Sequence, residues 1–247
     1  MTCRSAADGG DGGAVSHVDG TALDAASRNG FVRRMTTVQR TPLVPEIALH
    51  LADRPQRIFR LTEELTDPPG QRLPPFWAFA WPGGQGLARH LLDHPEATQG
   101  KRVIDVGAGS GIAAIAAYLR GAADVLAADI DDLAETAIGL NAVANCATVR
   151  TTTADVLAAV PEADLVLIGD LVYEPSLASR VAGFLDGLMA TGIDVLLADR
   201  TTARRPPMTF ELVADYLAPV IPELIDDSLE RARVWRLVRR PRRRRGA

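Results

Sequence analysis

The chain has 247 residues, 47% of them hydrophobic, enough for one large domain with a sizeable core. Its formal charge of −4 conceals an asymmetry: nine arginines and no acid fall in residues 231–247, which leaves 18 basic against 31 acidic groups in the other 230 residues, a net of −13. Two distant cysteines exclude a disulfide framework, no apolar run approaches the roughly 20 residues of a membrane span, and His90 and His94, at helical i, i+4 spacing, lack the further ligands of a metal site. Residues 1–13 lack the apolar core of a signal peptide, so a cytoplasmic protein with no membrane partner is expected.

Residues 1–38 are rich in Gly, Ala, Ser, Asp and Thr with little periodicity and read as a disordered N-terminal segment. An arm over 39–75 follows. Within it 45–51 alternates like a strand, 60–65 either continues it or turns helical, and 67–70 (Asp-Pro-Pro-Gly) is a turn. Residues 74–85 then bring two of the three tryptophans and two of the six phenylalanines together within six positions, a density that belongs to a core or a ligand wall. A helix is expected over 84–92.

Residues 103–105 read as a buried strand that runs into Gly107, Gly109 and Gly111, and then a helix to 120. Glycine at every second position lets the backbone turn sharply and admits a ligand close to it. The helix N-terminus beyond offers free N–H groups to a negative group. Strand, glycine turn and helix form the nucleotide-binding corner of a doubly wound α/β fold. Further strands are expected at 124–128, 149–153, 164–169 and 194–198, with helices to 145 and over 176–189. A helix over 207–217 and a strand pair at 222–227 and 234–238 complete the pattern, and 241–247 is a basic tail. An acid stands at or just beyond four of these strands. Asp105 precedes the glycine turn. Asp129, about twenty residues on, is the expected ribose partner. Asp155 either accepts from an adenine amino group or caps a short helix, and Asp170 leads into Leu171-Val172-Tyr173.

The third glycine comes one residue earlier than in the dinucleotide fingerprint. Asp105-Val106-Gly107-Ala108-Gly109-Ser110-Gly111 resembles motif I of the class I S-adenosylmethionine (SAM) methyltransferases. With Pro45-Glu46-Ile47, Pro75-Phe76-Trp77-Ala78, Trp81-Pro82-Gly83-Gly84-Gln85 and Gly169-Asp170-Leu171-Val172-Tyr173, the chain over roughly 43–240 is similar to the seven-β-strand protein lysine methyltransferases. Among them it is most similar to the electron transfer flavoprotein β subunit lysine methyltransferase family. The ribosomal protein L11 methyltransferases share the glycine motif but typically carry N-P-P-F after the fourth strand, where this chain has Asp170 to Tyr173.

The resemblance implies a Rossmann-like, doubly wound α/β sheet of seven mainly parallel strands with an antiparallel last strand, in a methyltransferase domain over 39–240 that includes the N-terminal arm. It implies SAM as cofactor, no metal, and a protein substrate bearing a lysine. It further implies cofactor contacts at Trp81, Gly83, Asp105, Gly107, Gly109, Gly111, Asp129, Ile130, Asp155 and Asp170, with Asp105 near the methionine end. Asp170 and Tyr173 would be the catalytic pair, Asp170 orienting the amine and Tyr173 walling its channel. Two other readings keep the fold: methyl transfer to a small amine such as a nicotinamide-like ring nitrogen, and a non-catalytic SAM-binding module. The Arg242–Arg245 run is the one hint of nucleic acid or an acidic partner, and a solvated tail is the expected reading of it. Nothing in the sequence bears on oligomeric state.

Overall fold

A computed structural model describes residues 23–66, 69–172, 175–199, 207–221, 224 and 229–238. Of the expected features, most of residues 1–38, Tyr173, most of the 222–227 strand and the 241–247 tail lie outside these residues.

A seven-stranded sheet carries the fold. Its strands are β3 (Arg102–Val106), β4 (Asp124–Ala128), β5 (Arg150–Thr152), β6 (Leu165–Gly169), β7 (Asp194–Asp199), β8 (Phe210–Pro219) and β9 (Leu229–Leu237), in the spatial order β5-β4-β3-β6-β7-β9-β8. The first five are mutually parallel and β9 runs against both neighbours, as expected of the last strand. Strand order reverses between β3 and β6, and in open α/β sheets ligands bind beyond the carboxyl ends of the strands at that crevice.

The strands read as unbroken apolar runs because both faces are covered. By the two-residue pleat, Val103, Leu165, Leu167, Leu196 and Ala198 pack on one side with α3 (Pro82–Asp93) and α4 (Ile112–Leu119). Ile104, Val106, Val166, Ile168, Val195 and Leu197 pack on the other against Val181, Phe184, Leu185 and Leu188 of α6 (Pro175–Thr191).

The N-terminal arm is a separate hairpin, β1 (Thr37–Thr41) with β2 (Val44–Leu51), followed by α2 (Pro55–Glu63). It is fastened by two asparagines one turn apart at the end of α5 (Asp132–Ala144). Asn141, fully buried, accepts from His50 N–H at 2.6 Å and donates to Ser110 C=O at 2.8 Å. Asn145 accepts from Ala48 N–H at 2.8 Å and donates to its C=O at 2.6 Å. The two amides thus stand in for a neighbouring strand along β2, and Asn141 ties the arm to the glycine turn.

Two expected elements differ. Residues 25–35, assigned to a disordered segment, form α1 (Ala25–Met35), capped by Asp24, which accepts from Ser27 N–H at 2.7 Å. Its propensity is poor, with Asn29 and Gly30 inside, and docking supplies what propensity lacks. Phe31 and Val32 bury against Leu133, Ala137 and Leu140 of α5. The helix expected over 207–217 is instead β8. Phe210, Val213, Ala214 and Leu217 fit helical spacing, yet cross-strand partners decide: Asp215 pairs with Arg231 at 2.7 Å and Arg233 at 3.5 Å, and Glu211 with Arg236 at 3.5 Å. Three of the nine arginines in residues 231–247 are therefore rungs of the sheet. His90 is buried in α3; loss of hydration and then the adjacent His94 lower its pKa to about 4. No described helix is long and apolar enough to cross a membrane, and the described residues hold no cluster of three metal-ligating side chains.

Candidate functional site

A cavity of about 620 Å³ opens at the carboxyl ends of β3, β4, β6 and β7, where the strand order reverses. That volume is in the range of cofactor sites. Gly107, with φ +66°, turns the chain out of β3, and its N–H and that of Ala108 donate to Ala128 C=O at 2.9 and 3.1 Å. Its left-handed φ strains any residue with a Cβ, and a Cβ there would lie 2.6 Å from Leu171 Cδ1, so the Leu171 side chain would have to shift.

Asp129 stands at the end of β4. Its Oδ2 accepts from Gly109 N–H at 2.8 Å and its Oδ1 from Asp131 N–H at 3.1 Å. Each oxygen keeps a further lone pair and the residue lines the cavity, which suits a pair of ribose hydroxyls. Burial raises its pKa, against the two backbone donors. Ile130 beside it is 58% exposed despite its size, a flat apolar platform on the same wall. Asp131 caps α5 by accepting from Leu133 N–H at 2.9 Å. Arg72 reaches Asp132 at 2.6 Å and so pins the segment bearing Leu73, Pro74 and Phe76 over this end of the cavity.

The tryptophan-rich stretch supplies another wall. Trp81 Nε1–H donates to Phe76 C=O at 2.8 Å, and its ring stands edge-on to Phe76 and Phe79. Phe76, Trp77 and Trp81 line the cavity, while Pro82 starts α3 directly behind them. Gly83 lies close to the end of β7 and the Asp170 carboxylate: a Cβ there would meet Ala198 O and Asp170 Oδ2, each at 2.7 Å. This contact lets Gly83 N–H donate to Asp170 Oδ2, joining the W-P-G-G-Q element to the D-x-x-Y element. Asp170 itself has φ +49°, a left-handed conformation uncommon outside glycine and one that gathers at functional sites. Its own N–H donates to Ala198 C=O at 3.0 Å.

Of the residues singled out in the sequence, Trp81, Gly107, Gly109, Asp129, Ile130, Asp155 and Asp170 line this one cavity. Gly83 and Gly111 act behind it, Gly83 through Asp170 and Gly111 as the left-handed residue that starts α4. Asp105 is not on the wall. The pleat turns it under α4, where it is 3% exposed and accepts from Ala114 N–H at 3.1 Å. Burial pushes its pKa up to about 7, partly opposed by that N–H and reinforced by Asp129. The unfolded side chain ionises near 4. The native state therefore holds the proton more tightly between about pH 4 and 7, and this group's contribution falls as pH rises through that window. Asp105→Asn keeps an acceptor for Ala114 and removes the titration, so its urea midpoint should drop less than the wild type's between pH 4 and 8. Asp155 caps a short 3-10 turn, Val156–Ala158, accepting from Leu157 N–H at 3.1 Å, and it also lines the cavity. It also pairs with Arg180. Arg180 and Asp199 on the wall had not been singled out; Asp199, a further acid at a strand end, carried the visible signal.

The residues present suit a cationic, ribose-bearing cofactor. The cavity has the volume, an acid with spare lone pairs at the β4 end, an apolar platform beside it and glycine backbone at the turn, and its wall carries five aspartates against Arg180.

The sequence profile of the ribosomal protein L11 methyltransferase family matches residues 88–173, the span from α3 through the glycine turn to the end of the D-x-x-Y element. The ribosomal protein L11 methyltransferase of Symbiobacterium thermophilum is 38% identical over 130 residues, 50% of this chain and 40% of that protein. Two proteins named electron transfer flavoprotein beta subunit lysine methyltransferase match over longer spans. That of Danio rerio is 36% identical over 186 residues, covering 74% of this chain and 70% of its own, and that of Xenopus laevis is 35% identical over 207 residues, covering 83% and 81%. With the glycine corner, the strand-end acids and the joined W-P-G-G-Q and D-x-x-Y elements in one cavity, the chain belongs to the electron transfer flavoprotein β subunit lysine methyltransferase family, and is a methyltransferase whose cofactor is SAM.

Proposed function

We propose that this chain methylates a lysine ε-amine on the electron transfer flavoprotein β subunit, acting in the cytoplasm. The observation that carries the reading is Asp170: a strained carboxylate at the point of strand reversal, on the cavity wall and fixed by Gly83 N–H.

Bound SAM supplies an electrophilic methyl group on a sulfonium. The chain's task is to present a neutral amine in line with it, and positioning of this kind contributes up to several kcal/mol. A free lysine has a pKa of about 10.4, so losing its proton to water at neutral pH costs about 4–5 kcal/mol. Held at the glycine turn and by Asp129, the cofactor would supply its methyl carbon to the amine nitrogen, with the carbon–sulfur bond cleaved as the new bond forms, so that the products would be a methylammonium and a neutral thioether. Asp170 accepts a hydrogen bond from the amine and aims its lone pair. The Gly83 N–H holds the carboxylate still. Trp81 and Phe76 keep bulk water from the wall. Tyr173, outside the described residues, is assigned to the acceptor channel from the D-x-x-Y pattern.

Incubation with labelled SAM and purified electron transfer flavoprotein β subunit, followed by peptide mass spectrometry, should place 14 Da increments (the mass of one added CH₂) on lysine, as expected for amine methylation. Label confined to a low-mass product, or to residues other than lysine, would overturn the reading.

A further inference from the structure

The sheet does not stop where the cavity does. β7 ends at Asp199, opposite Arg233 of β9, and β9 continues past that rung to Leu229 with β8 alone beside it among the described residues. Four more residues of two-stranded ribbon, about 13 Å at the rise of a strand, therefore stand beyond the carboxyl edge on the β7 side of the cavity mouth.

The two faces of this overhang differ, because residues directly opposite each other on antiparallel strands share a face. Tyr216 with Ala232 and Ala218 with Glu230 make one of them. Ala218 and Ala232 are buried there, and a Cβ on Gly86 of α3 would lie 2.8 Å from Ala232 Cβ. Leu217 with Arg231 and Pro219 with Leu229 make the other, where Leu217 is 56% and Leu229 48% exposed. The two leucines are diagonal neighbours, so they form one apolar patch. It continues the face that carries Arg233, which is in register with Asp199 on the cavity wall. Charge changes sign along the way. The wall holds five aspartates against Arg180, whereas the charge among the outer leucines is Arg231, whose one acid, Asp215 at 2.7 Å, is shared with Arg233 at 3.5 Å.

We infer that the overhang of β8 and β9 is the docking face for the acceptor protein. It takes the extended segment beside the target lysine, with an apolar side chain against Leu217 and Leu229 and an acidic one at Arg231. This rests on the lysine-acceptor reading. An acidic cavity draws in any lysine, so choosing one protein requires contacts outside it, and the energy of those contacts also holds the amine in place. The Leu217 and Leu229 rungs lie about 7 and 13 Å past the Asp199 rung, which an extended chain covers in roughly two to four residues. The segment it fits is therefore a lysine followed or preceded, at that spacing, by apolar and acidic residues.

Leu217→Ser combined with Leu229→Ser is the decisive variant. Both side chains are exposed, so the core is untouched and the melting temperature should move by no more than about 2 °C. With electron transfer flavoprotein β subunit as acceptor, KM for the acceptor should rise about 10- to 100-fold, the loss expected when two leucines no longer dock. The kcat should stay within about twofold, since the contact is made equally before and during methyl transfer, and affinity for S-adenosylhomocysteine (SAH) should be unchanged. Arg231→Gln should raise KM about threefold at low salt and weaken its dependence on salt. Leu212→Ser is the control: Leu212 is on the same strand and 46% exposed, but it pairs with Trp235, on the amino side of the Asp199 rung, and its KM should be that of the wild type. Wild-type KM in the double variant overturns the inference. So does an equal rise in Leu212→Ser, which would place the effect in the ribbon as a whole rather than in the contact. A wild-type chain that labels no lysine overturns the acceptor reading and this inference with it, and the wild-type control tells that result from the other two.

Discussion

Asp170→Asn should lower kcat/KM toward the acceptor protein by about 10²-fold, and Asp170→Ala by up to about 10⁴-fold, the span usually seen when a group that handles the reacting proton or lone pair is removed. The two variants separate two duties. Asn still offers an oxygen to Gly83 N–H, so α3 and the Trp81 wall stay in place and only the charge facing the amine is lost. Ala removes the anchor as well, leaves the Gly83 N–H without its partner, and relieves no strain, because the φ of +49° stays unfavourable for any residue with a Cβ. SAH affinity should change no more than a few-fold in the Asn variant. Steady-state rates with acceptor varied at saturating SAM read the first effect, and calorimetry with SAH the second. Full methylation by both variants would remove Asp170 from the mechanism.

Gly107→Val should abolish cofactor binding, raising the Kd for SAH by at least about 100-fold. Two independent costs meet at this residue. The backbone is left-handed, which costs a residue with a Cβ about 1–2 kcal/mol and a β-branched one more. The new Cβ would also sit 2.6 Å from Leu171 Cδ1. The clash displaces Leu171, whose chain neighbour is Asp170, while the turn shifts the Gly109 N–H away from Asp129 Oδ2. The melting temperature should fall by a few degrees, as roughly 1–3 kcal/mol predicts for a chain of this size. Adding Leu171→Ala should restore part of the stability, because it removes the clash, but little of the affinity, because the backbone conformation remains wrong. Undiminished SAH binding by Gly107→Val would show that the turn does not hold the cofactor.

Much of this was readable from the chain because the relevant signals are local. A glycine at alternate positions after an apolar strand, and acids at strand ends, fix the corner, the sheet and the side on which ligands bind. Asp129, Asp155 and Asp170 then follow from their place at the carboxyl edge. What escaped is non-local. α1 has no persuasive propensity of its own and exists by docking Phe31 and Val32 on α5. β8 carries a spacing that fits a helix and is decided by Arg231, Arg233 and Arg236 on a strand a dozen or more residues away. Asn141 and Asn145, ordinary polar residues on a helix by their sequence, turn out to hold the hairpin. The resemblance puts Asp105 near the methionine end of the cofactor, but the residue lies one position short of the sheet edge. The pleat sends its side chain under α4 and leaves Val106 on the wall. Asp199 is a fifth strand-end acid, and only the pairing of Gly169 with Ala198 shows that it follows β7 beside Asp170.

The most direct test is titration calorimetry of SAH into the full wild-type chain and into Gly107→Val. One saturable site per wild-type chain and none in the variant is the predicted result. No binding to the wild type, or equal binding to both, would contradict a cofactor seated on the glycine turn at the carboxyl edge of the sheet.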